Sequence, residues 1–295
     1  AFVPSIVFAD PLTYKVEGET VTVVDCDESA SGKLVIPSSY EDKPVISIEG
    51  YAFNSCSGLT SVTVPDSVTS IGRFAFGYCS NLTSVTIPDS VTSIGQDAFW
   101  SCSNLLSVTI PDSVTRIENM TFRNCGNLTS VIIGNKVKSI GRWAFRDCSN
   151  LTNVTIPENV TQIESWAFSG CSSLKSITFE GNAPSSFGSD VFKNLPIEAT
   201  ITVTAGATGF DETFGGLPVQ ILKKKLAITS FNKHAAPFSL TFETESDSTY
   251  KIEASHDLQK WGEIGEVQGT GSSVKFLERR RALFPKQYYR VKLLE

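Results

Sequence analysis

Six cysteines recur in this chain at one fixed interval of 23 residues: Cys56, Cys79, Cys102, Cys125, Cys148 and Cys171. A period of that size marks a stacked repeat, in which one short unit lies on the next. The neighbouring residues fall into columns on the same period. Phe stands three positions before each Cys (Phe53, Phe76, Phe99, Phe122, Phe145, Phe168), and Leu three positions after it (Leu59, Leu82, Leu105, Leu128, Leu151, Leu174). The unit reads A-F-x-x-C-x-x-L-x-x-V-x-I-P-x-x-V-x-x-I-G.

Each column has a physical role. Val62 and Val64 alternate with Ser61 and Thr63, which predicts a short strand with one buried and one exposed face. Pro65 lacks a backbone N–H and ends the strand, and Pro-Asp-Ser supplies turn chemistry. Val68 and Ile71 predict a second short strand or extended leg. Ala-Phe-x-x-Cys is too short for a free helix, so one helical or 3₁₀ turn is expected there. A lone coil orders more backbone than its few apolar side chains offset, so stability must be shared across the stack.

On these columns the unit resembles the BspA-type leucine-rich repeat, a bacterial surface-protein family. It departs from the common pattern L-x-x-L-x-L-x-x-N in having no Asn after the strand and a Cys before the first Leu. The resemblance runs over roughly residues 34 to 222. It implies a mainly β fold: a leucine-rich-repeat solenoid of 23-residue coils with parallel sheets. It specifies function weakly, because one repeat scaffold hosts many binding roles.

The organisation follows from where the columns start and stop. Residues 1–9 (AFVPSIVFA) are apolar and end in V-F-A, similar to the end of a secretory signal; an ordinary apolar strand is the alternative. Residues 10–48 are expected to cap the solenoid, with a hairpin around Glu17-Gly18-Glu19. Six repeats fill 49–180. The register breaks after Phe179, so 181–222 read as a degenerate closing coil with Phe187, Phe192 and Leu195, ending in A-G-A-T-G-F and G-G-L-P. Residues 226–295 carry no repeat. Alternating segments at about ten-residue spacing predict a small antiparallel β-sandwich. Tyr250, Ser255, Asp257, Leu258 and Trp261, with Tyr288-Tyr289-Arg290-Val291, resemble a fibronectin-type-III-like module, which makes Trp261 and Tyr289 core residues.

The formal net charge is −6, which argues against nucleic acid, since phosphate contact needs a concentrated basic face. Lys223–Lys225 and Arg279–Arg281 are read as a linker and a loop. No run of 18 apolar residues is present, so no membrane span is expected. The six periodic cysteines are expected to be a ladder of buried free thiols, because equivalent Cβ vectors in stacked coils run parallel and bridge poorly. Cys26 lies outside that ladder and reads as a buried cap residue.

Catalytic and metal chemistry find no residues. The two histidines, His234 and His256, lie outside the repeats and in no metal-ligand or triad setting. Neither phosphate-binding glycine motif occurs. No enzyme activity, cofactor or metal is expected. Two surfaces remain. Outward strand positions form a hydroxyl-rich face, with Thr63, Thr86, Thr109, Thr155 and Thr178 in one column, which Ile132 interrupts. Such a face suits a repetitive ligand, and it is also what the strand preference of Thr gives unaided. The column before the repeat Ala runs Tyr51, Phe74, Asp97, Met120, Trp143, Trp166, with Arg142 and Arg146 beside the two Trp. Those residues suit a sugar or protein contact, or half-buried packing at the coil edge. The expectation is an exported, monomeric protein at the cell surface or outside it, binding a protein or glycan. The alternative is a structural or surface-layer scaffold without a specific ligand.

Overall fold

A computed structural model of the chain describes residues 10–222, 228–231, 238–246, 248–255, 259–278 and 288–294. The apolar start at 1–9, Lys223–Lys225, Arg279–Arg281, His234, His256, Asp257 and Leu258 lie outside them. Contacts divide the chain into two units, 1–222 and 223–295.

The first unit is a solenoid. An antiparallel hairpin, Leu12–Glu17 with Thr20–Cys26, opens it, and its second strand pairs in parallel with Lys43–Ile48. Two parallel ladders then climb the stack. The longer strands follow the Leu column: Ser31–Val35, Gly58–Thr63 and Ser84–Thr86 pair in series. Ser107–Ile110 pairs with Ser130–Ile133, and Asn153–Ile156 begins a series through Ser176–Phe179, Thr200–Thr204 and Leu217–Leu222. The shorter ladder carries the second apolar pair, as in Ser70–Ile71 on Ser93–Ile94 and Ser139–Ile140 on Gln162–Ile163. Paired residues share a repeat position, such as Val108 with Val131 and Ile117 with Ile140. One extra residue enters near the end, where Ile163 pairs with Phe187 and Ile177 with Ile201.

The core is a set of columns. The repeat Phe rings stack coil on coil, with centroids 4.8–5.4 Å apart from Phe53 to Phe168. Each Phe, Cys and Leu of the six units is buried. The six ladder thiols and Cys26 are free. From Cys79 onward each thiol donates to the Phe carbonyl of the previous coil, at 3.0 Å for Cys79 and Cys102 and 3.1–3.2 Å for Cys125, Cys148 and Cys171. The column therefore wants a small apolar residue with one weak donor, which describes Cys. Cys26 caps the ladder: it is buried, and the Cys56 thiol donates to its carbonyl at 3.6 Å. At the far end Phe179, Phe187, Phe192, Phe210 and Phe214 close the stack in a cluster of tilted and edge-on rings.

The Ala-Phe-x-x-Cys segment is not the helical turn its sequence suggests. It is a run of reverse turns with left-handed residues four apart: Tyr51 and Ser55, Phe74 and Tyr78, Asp97 and Ser101, Met120 and Asn124, Trp143 and Asp147. In the first coil Asn54 N–H bonds to Tyr51 O, and Cys56 N–H to Phe53 O. The alternate N–H groups of Tyr51, Phe53 and Ser55 reach the next coil, at Arg73, Ala75 and Gly77 O. A helix would turn those donors inward along its own axis; the stack recruits them as links between coils. The repeat glycine serves the same close stacking. A Cβ at Gly95 would stand 2.6 Å from the backbone N of Arg73, and one at Gly72 would clash with the backbone N of Gly50.

Among its described residues the second unit holds two three-stranded antiparallel sheets. Ile228–Phe231, Phe238–Glu243 and Ser273–Glu278 form one; Gly262–Gln268, Thr249–Ser255 and Tyr288–Leu294 form the other. Leu240, Phe242, Tyr250 and Ile252 are its buried core, with Tyr289 packed against them. Trp261 is half-buried, and the Arg290 guanidinium lies 4.1 Å over its ring. Glu253 accepts from Arg290 at 2.6 Å, and this bond holds its carboxyl below the usual range.

Candidate recognition surface

The turns of successive coils build one wall of the solenoid, and their outward side chains form a continuous ribbon. Two columns supply most of it, the residue before the repeat Ala and the residue after the repeat Phe, and Tyr78 and Arg142 join from the positions beside them. Tyr51 stacks on Phe74 at 5.1 Å, and Phe74 meets Trp100 at 5.4 Å. Tyr78 flanks Trp100 at 5.1 Å. Arg123 bridges the next gap, its guanidinium 5.8 Å from the Trp100 ring and 5.7 Å from that of Trp143. Arg142 lies 4.1 Å over Trp143 and 4.6 Å over Trp166, and the two Trp rings stack at 5.7 Å. Trp166 ends the ribbon by donating from Nε1 to Asp190 at 3.1 Å.

Left-handed backbone sets these side chains. It costs a residue other than glycine roughly 1–2 kcal/mol, yet Tyr51, Phe74, Trp143 and Trp166 all adopt it. The bonds to the neighbouring coil hold them there; Trp143 N–H reaches Ser165 O, and Trp166 N–H reaches Ser189 O. The rings themselves are half-buried, except Tyr51, which is 54% exposed.

Polar pairing along the ribbon is incomplete. Among the described residues, four buried side-chain atoms have no hydrogen-bond partner: Asp97 Oδ1, Trp100 Nε1, Arg123 Nε and Trp143 Nε1. All four lie on this wall. Asp97 is 1% exposed, and its other oxygen accepts from Gln96 at 3.0 Å and faces Arg73 at 3.5 Å. The Arg142 guanidinium is exposed and makes no ion pair among the described residues.

The structure brings Trp143, Trp166 and Arg142 together, as their columns suggest. Arg146 stands apart and pairs with its neighbour Asp147 at 3.2 Å. The Thr column lies on a different wall, in the longer-strand ladder. Thr86, Thr109 and Thr155 are exposed there, whereas Thr63 and Thr178 are half-buried. Thr63 faces Thr86 and Thr155 faces Thr178, but Thr109 faces Ile132, which is 63% exposed. The hydroxyl face is thus interrupted along the longer-strand ladder by the exposed Ile132. The six ladder cysteines are interior and take no part in either surface. Burial pushes the Cys79 and Cys125 thiols up to about 12, and Cys102, Cys148 and Cys171 upward too.

Sequence reasoning overlooked Trp100 and Arg123. Both occupy the column just after the repeat Phe, where Asn54, Gly77, Arg146 and Ser169 show no common chemistry. Reading that column jointly with Tyr51, Phe74, Trp143 and Trp166 would have found the ribbon. Among the described residues no group of three or more His, Cys, Asp or Glu is placed to hold a metal ion. Among the described residues no helix is long and apolar enough to cross a membrane.

The family model described as "BspA type Leucine rich repeat region" matches residues 33–150 and 98–214, in six copies. A leucine-rich repeat protein of T. pallidum is 30% identical, covering 65% of this chain and 91% of its own, with a TM-score of 0.58. A leucine-rich repeat protein from Bacteroides capillosus is 37% identical over 43% of this chain and 96% of its own, with a TM-score of 0.38. A leucine-rich cell surface protein from Faecalibacterium prausnitzii is 22% identical over 68% of this chain and 76% of its own, at a TM-score of 0.39. No curated protein matches.

Proposed function

This chain belongs to the BspA-type leucine-rich repeat family, and from that premise we propose that it is an exported, non-catalytic recognition protein. Its ligand is a protein or glycan held on the turn wall. The observation that carries this reading is the concentration of aromatic rings, guanidinium groups and unpartnered buried polar atoms on one wall. Trp, Tyr and Arg are the side chains that most often anchor interfaces, and unpaired buried groups raise the energy of the free surface. Export accords with the family, a class of bacterial surface proteins. In this reading the second unit is a spacer or a second binding module.

The test is a binding screen of the full chain against glycans and extracellular host proteins. Saturable binding that weakens on Trp143→Ala or Trp166→Ala is the expected result. Absence of saturable binding, or binding indifferent to these changes, overturns the reading. A surface-layer scaffold is the second reading, favoured by the regular, in-register stacking of the coils. Ordered self-assembly of the purified chain would favour it.

A further inference from the structure

The turn wall selects among ligand chemistries. We propose that the ladder Trp100, Arg123, Trp143, Arg142, Trp166 is a docking strip for an acidic segment of a partner protein, whose carboxylates close onto the two guanidinium groups. This rests on the recognition reading above and narrows it to one strip and one partner chemistry.

The facing sides of the stacked rings are taken. Trp143 and Trp166 stack on each other, Arg142 lies over both, and Tyr51 stacks on Phe74. A sugar ring needs an open aromatic face to stack on, so face-on sugar binding has little room along this strip. Ring edges remain, and the edge is the electropositive part of an aromatic ring.

Most of the groups left without partners are donors. Three of the four orphaned atoms are donors: Trp100 Nε1, Arg123 Nε and Trp143 Nε1. The exposed Arg142 guanidinium adds more donors with no carboxylate partner among the described residues. Stacking occupies its face and leaves its planar fork free, the geometry that binds carboxylate bidentately. A carboxylate that reaches Arg123 and the indole N–H groups relieves a buried shortage of acceptors, with a small rotation of the Trp side chains.

The carboxylates on this wall favour an acidic peptide over a uniformly charged polyanion. Asp97, Asp147 and Asp190 stand on the same wall, facing Arg73, Arg146 and Trp166. They break the positive field, so an evenly spaced string of sulfates meets repulsion within a coil or two. A protein segment sets its carboxylates where the guanidinium groups are and lays apolar side chains on the ring edges and on Met120, whose sulfur lies 3.9 Å from Arg123 Nη1.

A displayed random peptide library selected on the full chain tests this, with heparin and a panel of neutral glycans run in parallel. The selected peptides are expected to be enriched in Asp and Glu beside apolar residues. Their affinity is expected to fall about tenfold or more on Arg142→Gln, the loss of one charge-assisted bond. Lys136→Gln, the same charge change at an exposed turn elsewhere, is expected to leave it unchanged. Binding should also alter the near-ultraviolet circular dichroism of the Trp pair. Peptides without acidic enrichment, affinity indifferent to Arg142→Gln, or heparin binding in preference to peptide would overturn the proposal. Binding lost on Trp143→Ala but unchanged by Arg142→Gln would remove the acidic-partner strip while leaving the recognition reading in place. Failure of peptides, heparin and glycans alike would sink both.

Discussion

At the scale of single residues, the thiol column shows how a repeat chooses its amino acids. Each Cys fills a small apolar site and gives its one donor to a carbonyl that already accepts the Cys N–H of its own coil; Phe99 O, for example, takes Cys102 N–H and Cys125 Sγ. Removing the sulfur leaves that carbonyl with its stronger bond and a small void. Cys125→Ala should therefore cost about 1–2 kcal/mol, read from chemical denaturation of the two chains. The raised thiols also set a pH response. The unfolded chain ionises its cysteines near the ordinary thiol value of about 9, while Cys79 and Cys125 stay protonated in the fold to about 12. The folded state thus binds more protons in that window, and stability falls as pH rises from about 9 toward 12. Melting temperatures measured across that range should drop, and less steeply in a chain with Cys79 and Cys125 both changed to Ala. A thiol reagent at neutral pH should find few reactive groups in the native chain and seven after denaturation. Gly95→Ala makes the complementary point about space. Its Cβ meets backbone that cannot swing aside, so a loss of more than about 2 kcal/mol is expected in the same denaturation experiment.

At the scale of elements, strands and turns differ in how far sequence reveals them. Alternation in Leu59 to Val64 located the longer ladder, and Val68 with Ile71 located the shorter one, which shrinks to the two-residue strand Ser70–Ile71. Both depend on local pattern, and local pattern is what a sequence displays. The turn wall depends on bonds to the next coil. Nothing in the propensity of Tyr, Phe or Trp favours left-handed backbone, so Tyr51, Phe74, Trp143 and Trp166 look like ordinary apolar residues until the coils are stacked. The pairing of Trp100 with Arg123 was hidden for the same reason, since it needs the offset between coils as well as the columns. The ribbon has a spectroscopic signature. Stacked indoles couple, so Trp143 and Trp166 should give a near-ultraviolet circular dichroism couplet that either Trp143→Phe or Trp166→Phe abolishes while the melting transition stays cooperative.

At the scale of the whole molecule, the solenoid behaves as a one-dimensional stack in which each coil answers only to its neighbours. Deleting residues 103–125 removes one full period and joins like columns, so the shortened chain should still unfold in a single transition at a lower temperature. Deleting residues 103–114 alone breaks the Phe, Cys and Leu columns together, and circular dichroism melting should show no cooperative transition. The ends are less interchangeable. The opening hairpin and the closing Phe cluster each cover an exposed coil face once, which is why neither shows the repeat; the hairpin around Glu17-Gly18-Glu19 was legible from alternation and turn residues, whereas the closing cluster was marked only in place. The matching of Val108 to Val131 and Ile117 to Ile140 carries a genetic consequence. Because any interior coil fits on any other, unequal crossing-over between two copies in the gene yields a frame-preserving chain with one coil more or fewer that still closes. The length of the stack, and with it the reach of its turn wall, can thus vary between lineages in whole steps without passing through an unfolded intermediate form.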